Sequence, residues 1–177
     1  GVGVEALKAR ANELHEFNPM LGMRGVRLGI TVPEIYDMQA RAIFEATIEA
    51  TDEGGAPVVP EIMIPLVSAK REVELVKARV DAVAAAVRIE RGVDFTYRLG
   101  VMVETPRAAL RASEIAQHAA FLSFGTNDLT QMTYGLSRDD AGRFMGIYVG
   151  QGVYAEDPFH FLDNECVGEL LLVGARR

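Results

Sequence analysis

Three short apolar segments limit what this chain can become: residues 61–67 (EIMIPLV), 98–103 (RLGVMV) and 120–124 (AFLSF). Each is shorter than an ordinary helix and apolar at nearly every position, the pattern of a strand buried on both faces. Longer stretches with helical apolar spacing lie between them. A strand–helix–strand crossover returns the chain to the end of the sheet where it began, so the strands run parallel. The sequence therefore predicts an α/β fold built on a parallel sheet.

The helical stretches carry their own punctuation. Residues 4–16 read as a helix, and 17–25, with Pro19, Gly22 and Gly25, as a loop. Pro33 opens a helix over 33–52, with Ile35, Met38, Ala42, Ile43, Ala46 and Ile48 as its apolar positions and Gly54-Gly55 as its stop. Ser68 is the expected N-cap for a helix over 70–91, and Gly92 its stop. Pro106 opens another helix, and a last one begins within 163–172.

Composition narrows the function classes. The net charge is −7 and no lysine/arginine block appears, which disfavours nucleic-acid binding. An acidic protein can still take an anionic substrate if a metal ion supplies positive charge. A single cysteine, Cys166, excludes an intramolecular disulfide framework and fits a reducing compartment, cytoplasmic or organellar. The longest apolar runs, such as 82–87, are too short to span a membrane, and residues 1–10 read as a mixed-charge helix without a secretory pattern. The 177 residues read as one domain, short of the roughly 250 that a whole (β/α)₈ barrel needs.

Parallel α/β folds gather their chemistry at the carboxyl ends of strands. Glu104 and Asp128 lie just past the ends of the second and third segments. Two carboxylates at neighbouring strand ends suit a hard divalent cation such as Mg²⁺, which takes one or two carboxylates together with water and substrate oxygens. From spacing alone, each also serves as a helix cap: Glu104 for the helix opened by Pro106, Asp128 for a helix over 129–135. Gly125, Thr126 and Asn127 form a loop in which glycine permits close backbone approach to an anion. Arg24, between Met23 and Gly25, has a fork suited to a carboxylate or phosphate, although most such arginines are solvated; Arg27 reads as structural or exposed.

The remaining candidates read as ordinary. His15, His118 and His160 lack metal-ligand spacing, Cys166 reads as a packed thiol, and residues 137–140 read as a solvated turn with local ion pairing. The methionines read as core filler, with Met102 placed near any ligand.

Five segments together resemble the phosphoenolpyruvate-utilising enzyme family: NPMLGMRGVRLGI (18–30), PEIYDMQARAIFEA (33–46), PEIMIPLV (60–67), GVMVETPRAAL (100–110) and FLSFGTNDLTQMTYGLSRDD (121–140). They occur in the family's order, and GTNDLTQ is the most specific. Met23, in place of a tryptophan, and the run Gln131-Met132-Thr133-Tyr134 followed by GLSRDD resemble the pyruvate, phosphate dikinase branch. The pyruvate, water dikinase branch and a non-catalytic module that keeps the metal pocket are the alternatives.

The resemblance implies a partial (β/α)₈ TIM barrel that binds phosphoenolpyruvate or pyruvate. It implies Mg²⁺ held by Glu104 and Asp128, substrate contacts from Ser123, Gly125, Thr126 and Asn127, and an active-site role for Arg24. It implies a phosphohistidine domain in the same parent chain and a homodimer of the parent enzyme. It also implies a proton-donating cysteine in a Gly/Cys/Gly/Glu-type loop. Residues 163–168 match an earlier segment of the family, so Cys166 is not given that role. The expectation is a fragment of about half a barrel, marginal alone because strand edges and interior stay uncovered, and inactive without its partner domains.

Overall fold

The computed structural model describes residues 2–16 and 18–177; the helix reading at Gly1 and the loop reading at Phe17 lie outside the described residues. Strands β1 (Glu61–Ile64), β2 (Arg98–Val103) and β3 (Leu122–Phe124) form one sheet in the order β1-β2-β3. Both pairings are parallel, with Ile64 opposite Val101 and Val103 opposite Phe124. All three strand ends therefore lie on one side of the sheet.

Ten α-helices and one short 3-10 helix, Pro19–Leu21, accompany it among the described residues. The α-helices are α1 (Val4–Glu13), α2 (Val26–Thr31), α3 (Pro33–Gly54), α4 (Lys70–Arg91), α5 (Pro106–Leu110), α6 (Ala112–Ala116), α7 (Thr126–Tyr134), α8 (Arg138–Ala141), α9 (Met145–Gly150) and α10 (Val167–Arg176). The expected stops hold: Gly55 and Gly92 adopt the left-handed conformation just beyond α3 and α4. The α4 cap is made differently. Ala69 is the N-cap residue, and the Glu72 carboxylate accepts the backbone N–H groups of Ser68 and Ala69 at 2.7 and 2.9 Å.

Burial on both faces holds only in part: Gly100 is buried and Met102 and Ser123 half-buried on the second face, but that face is exposed at Glu61, Met63 and Arg98. Ile64, Leu99, Val101 and Val103 pack with Phe44, Val73 and Val76 of the helical layer. The opposite face carries Glu61, Met63 and Arg98, all exposed, with Arg98 donating to Glu61 at 2.6 Å. β1 is also shorter than 61–67. Pro65 has no N–H for a ladder, and Leu66 turns the chain with φ of 61°.

On α3 the buried positions are Ala40, Phe44, Thr47 and Ile48, one face of the helix, whereas Met38 is 61% exposed. α1 ends before residue 16 and buries no side chain, so no tertiary contact extends it. The helix after Pro106 breaks at Arg111, and β3 forms only over three residues. The last helix begins at Val167, because the Asp163 carboxylate accepts the N–H groups of Glu165 and Cys166. Cys166 is exposed, not packed. α10 lies on α5, with Gly174 close to the Phe124 ring and the Ala109 backbone. Among the described residues no helix is long and apolar enough to cross a membrane.

Phe44 is fully buried and stacks against Phe95 and Tyr97 with ring centroids 5.0 and 4.9 Å away. Phe44→Ala should lower the unfolding free energy by about 3–5 kcal/mol in urea titration. Ile89→Ala, at a site 82% exposed, should change it by no more than ~0.5 kcal/mol.

Candidate functional site

The ends of the three strands are tied together by hydrogen bonds that run between elements. Past β1, the turn 65–67 is held from three sides. Val26 N–H donates to the Pro65 carbonyl at 3.0 Å, Leu66 N–H donates to Glu104 Oε1 at 2.6 Å, and the Thr105 hydroxyl donates to the Val67 carbonyl at 2.9 Å. A buried leucine at positive φ is strained, and these bonds over-determine it. Gly25, also at positive φ, lets the preceding loop close on this turn: a Cβ there would lie 2.8 Å from Leu66 Cβ.

Glu104 sits past β2 and is 7% exposed. It is not the cap of α5. Thr105 takes that role, its hydroxyl accepting the Ala108 N–H at 3.1 Å. Glu104 is thereby left to face the strand ends. Past β3, Gly125 is the N-cap residue of α7, which starts at Thr126, earlier than the sequence reading placed it. Asp128 lies in the first turn of that helix, 8% exposed, where the helix dipole favours a carboxylate. It is not the cap itself.

Arg24 reaches across from the loop before α2 and grips Asp128 with both nitrogens, Nη1 to Oδ1 at 3.5 Å and Nη2 to Oδ2 at 3.3 Å. Gln131, one helical turn on, donates from Nε2 to Asp128 Oδ1 at 3.0 Å. Arg27 is structural, as expected: it donates to the carbonyls of Leu21 and Gly22 at 2.7 and 2.8 Å and holds the Arg24 loop in shape.

Burial pushes the Glu104 carboxyl up to about 7. The Leu66 N–H opposes that rise, the charge of Asp128 and a hydrogen bond with it add to it, and Arg24 opposes it again. A cation beside two carboxylates so placed would relieve the repulsion between them. The chemistry of the donor set fits a hard divalent ion: two carboxylates, with a cleft open beside Asp128 for water and ligand oxygens. Among the described residues no group of three or more His, Cys, Asp or Glu forms a fuller cage.

The site opens on a cleft of about 640 Å³ lined by Pro19, Met20, Arg24, Asn127, Asp128, Gln131, Ser137, Arg138 and Asp139. Gly125 is required here for space, since its φ of −91° suits any residue. A Cβ would lie 2.6 Å from Glu104 Oε2 and 2.9 Å from Met102 Sδ, which also puts Met102 beside the site as expected.

Five of the sequence candidates are thus brought together: Arg24, Glu104, Gly125, Asn127 and Asp128. Thr126 lines an adjoining recess of about 180 Å³ with Asn127, Arg138 and His160. Ser123 pairs in register with Met102 on β2 and, among the described residues, makes no hydrogen bond to the other candidates. His118 and His160 face the nearby acids Glu74 and Asp157, in keeping with surface roles. Acidic neighbours, Asp163 foremost, push the exposed Cys166 thiol up, away from the thiolate form.

Two residues were missed. Gln131 had one available signal, its spacing of three from Asp128 on a helix. Arg138, read as part of a solvated turn, donates from Nη1 to Asn127 Oδ1 at 2.9 Å and from its backbone N–H to Gln131 Oε1 at 2.8 Å. Local sequence carries no mark of a contact made by tertiary return of the chain.

A protein-family profile described as PEP-utilising enzyme, PEP-binding domain, matches residues 3–175. The chain is 57% identical over 171 residues to pyruvate, phosphate dikinase of Rhizobium meliloti (strain 1021), covering 97% of this chain and 19% of that protein. It is 52% identical to pyruvate, phosphate dikinase of Clostridium symbiosum and 52% identical to pyruvate, phosphate dikinase 2 of Zea mays, each over 177 residues, 100% of this chain and 20% of those proteins. The chain thus spans about one fifth of the length of these relatives.

Two predictions follow from the geometry of Glu104. Its folded-state affinity for a proton exceeds the ordinary carboxylate's, so its contribution to stability is complete below pH 4.5 and is lost as pH rises through 7. In metal-free buffer, Glu104→Gln should therefore gain stability relative to the parent sequence between those limits, measured by denaturation at a series of pH values. Gly125→Ala should displace Glu104; a tyrosine-free probe such as backbone amide exchange should show faster exchange at Leu66 N–H, whose acceptor moves.

Proposed function

The chain belongs to the PEP-utilising enzyme family, and on that premise we propose that it carries the phosphoenolpyruvate/pyruvate site of a pyruvate, phosphate dikinase. The observation that supports this most directly is the meeting of two buried carboxylates, Glu104 and Asp128, with the fork of Arg24 at neighbouring strand ends.

The chain's 177 residues are read as a single domain, a part of a (β/α)₈ barrel. The parallel strand order, the helices on one face and the inward-type row Glu61, Met63 and Arg98 on the other support that reading. β1 and β3 each pair with β2 alone among the described residues, which suits continuation of the sheet on both sides.

Glu104 and Asp128 would hold Mg²⁺. When bound, the ion supplies Lewis-acid stabilisation of the negative oxygen of a pyruvate enolate. Arg24 holds a guanidinium at the mouth of the site, where its planar fork can neutralise phosphoryl or carboxylate oxygens. Asn127 and Thr126 place polar groups at the start of α7, and Gly125 leaves the strand end open for a small anion. Ser123 lies beneath them on β3. In this reading the phosphoryl group moves between phosphoenolpyruvate and a phosphohistidine on another domain of the parent chain, and the site works by positioning and charge. The overall reaction links ATP, pyruvate and phosphate to AMP, phosphoenolpyruvate and diphosphate. Protonation of the enolate carbon is given to no residue of this chain, since Cys166 lies in residues 163–168, which match a segment of the family earlier than its cysteine loop. The parent enzyme is read as a homodimer.

The full-length enzyme tests this. Glu104→Ala and Asp128→Ala should each lower Mg²⁺-dependent turnover on the order of a hundredfold or more, with the circular dichroism spectrum kept. Normal turnover in either variant would remove the metal assignment. Turnover that needs no inorganic phosphate would move the enzyme to the water dikinase branch.

A further inference from the structure

We propose that Gln131 is a positioning residue: it fixes the carboxylate of Asp128 for a divalent cation and is itself fixed by the backbone of Arg138. The inference rests on the reading of Asp128 as a cation ligand and adds to it a residue that acts through Asp128.

Gln131 is a buried amide, 7% exposed, with both ends in use. Its orientation is set by chemistry. The Arg138 backbone N–H can only donate, so the Gln131 atom 2.8 Å from it must be the carbonyl Oε1. The amide nitrogen is then turned toward Asp128 and donates to Oδ1 at 3.0 Å. A flipped amide would set N–H against N–H at one end and oxygen against oxygen at the other, inside a buried site.

The consequence falls on Asp128. Oδ1 takes its shortest contact, 3.0 Å, from Gln131 and a longer one, 3.5 Å, from Arg24, while Oδ2 has the 3.3 Å contact with Arg24. A carboxylate in the first turn of a helix has other acceptable partners, namely the free backbone N–H groups there. Without the Gln131 donor, only the longer Arg24 contacts, 3.5 and 3.3 Å, oppose a turn toward them. Gln131 holds it toward the strand ends, and the turn after α7 holds Gln131. Asp128 and Gln131 are neighbours on one helical face, so α7 alone would align them, but only the return of the chain at Arg138 selects the amide orientation.

The test uses the full-length enzyme with Gln131→Met, which keeps length and volume but has no donor. Two measurements are made: Mn²⁺ binding alone, followed by the electron paramagnetic resonance of the free ion, and the Mg²⁺ concentration at half-maximal turnover. Positioning predicts that Q131M weakens Mn²⁺ binding and raises the Mg²⁺ requirement by about tenfold or more, while turnover at saturating Mg²⁺ changes far less. A purely structural role predicts a lower melting temperature with neither metal value moved, and that result would overturn the proposal. If Q131M does not fold, Q131N decides: its amide is one methylene too short to reach both partners, so it should shift both metal values in the same direction. An inactive Asp128→Ala enzyme beside a Q131M enzyme with parental metal dependence sinks this inference alone. A fully active Asp128→Ala enzyme sinks the underlying reading and this inference with it.

Discussion

A carboxylate buried between three strand ends governs this molecule. Glu104 has little access to water, so it must find partners within the protein. It accepts the N–H of Leu66 from the turn after β1 and lies against Asp128 from the helix after β3. Each partner has a cost. Leu66 sits at positive φ, and Asp128 adds a like charge. The strain at Leu66 is held by bonds from Val26 and Thr105 as well as Glu104, so the turn is fixed by the surrounding fold rather than by its own sequence. The like charge is balanced in part by Arg24 and leaves room for a stronger cation.

That arrangement explains why the neighbouring residues are what they are. Thr105 caps α5, which releases Glu104 from capping. Gly125 has no side chain because Glu104 and Met102 fill the space where one would go. Gln131 and Arg27 each tie down a neighbour: Gln131 donates to Asp128, and Arg27 holds the loop that carries Arg24. The site is a small set of charges around which backbone and amide hydrogen bonds have been fitted.

Much of the fold was legible because it depends on local signals. Gly55 and Gly92 mark helix ends through their tolerance of positive φ, and Pro33 and Pro106 mark starts because a first-turn residue needs no N–H. The limits of α4 and β2 fall where spacing and caps placed them. Errors arose where burial decides. Apolar content made the strands look wholly buried, but Glu61 and Arg98 are exposed on their second face, and Met63 and Met38 are exposed despite their apolar character. α2 was not foreseen because its six residues take their place from Gly25 and from a bond to Pro65, not from a cap of their own. Cys166 looked packed from its neighbours in sequence and is exposed because Asp163 starts the turn ahead of it.

Sequence by itself determined the α/β class, the parallel strands and the two acids just past neighbouring strand ends, since each follows from periodicity and from where a crossover must return the chain. It also carried the family through ordered motifs. The tertiary structure decided that neither acid caps a helix. Thr105 takes one cap and Gly125 occupies the other, which leaves Glu104 to the Leu66 N–H and Asp128 to Arg24 and Gln131. The physical reason is that a side chain's role is set by which donors and charges surround it in space, and those come from residues as far along the chain as Arg24 is from Asp128.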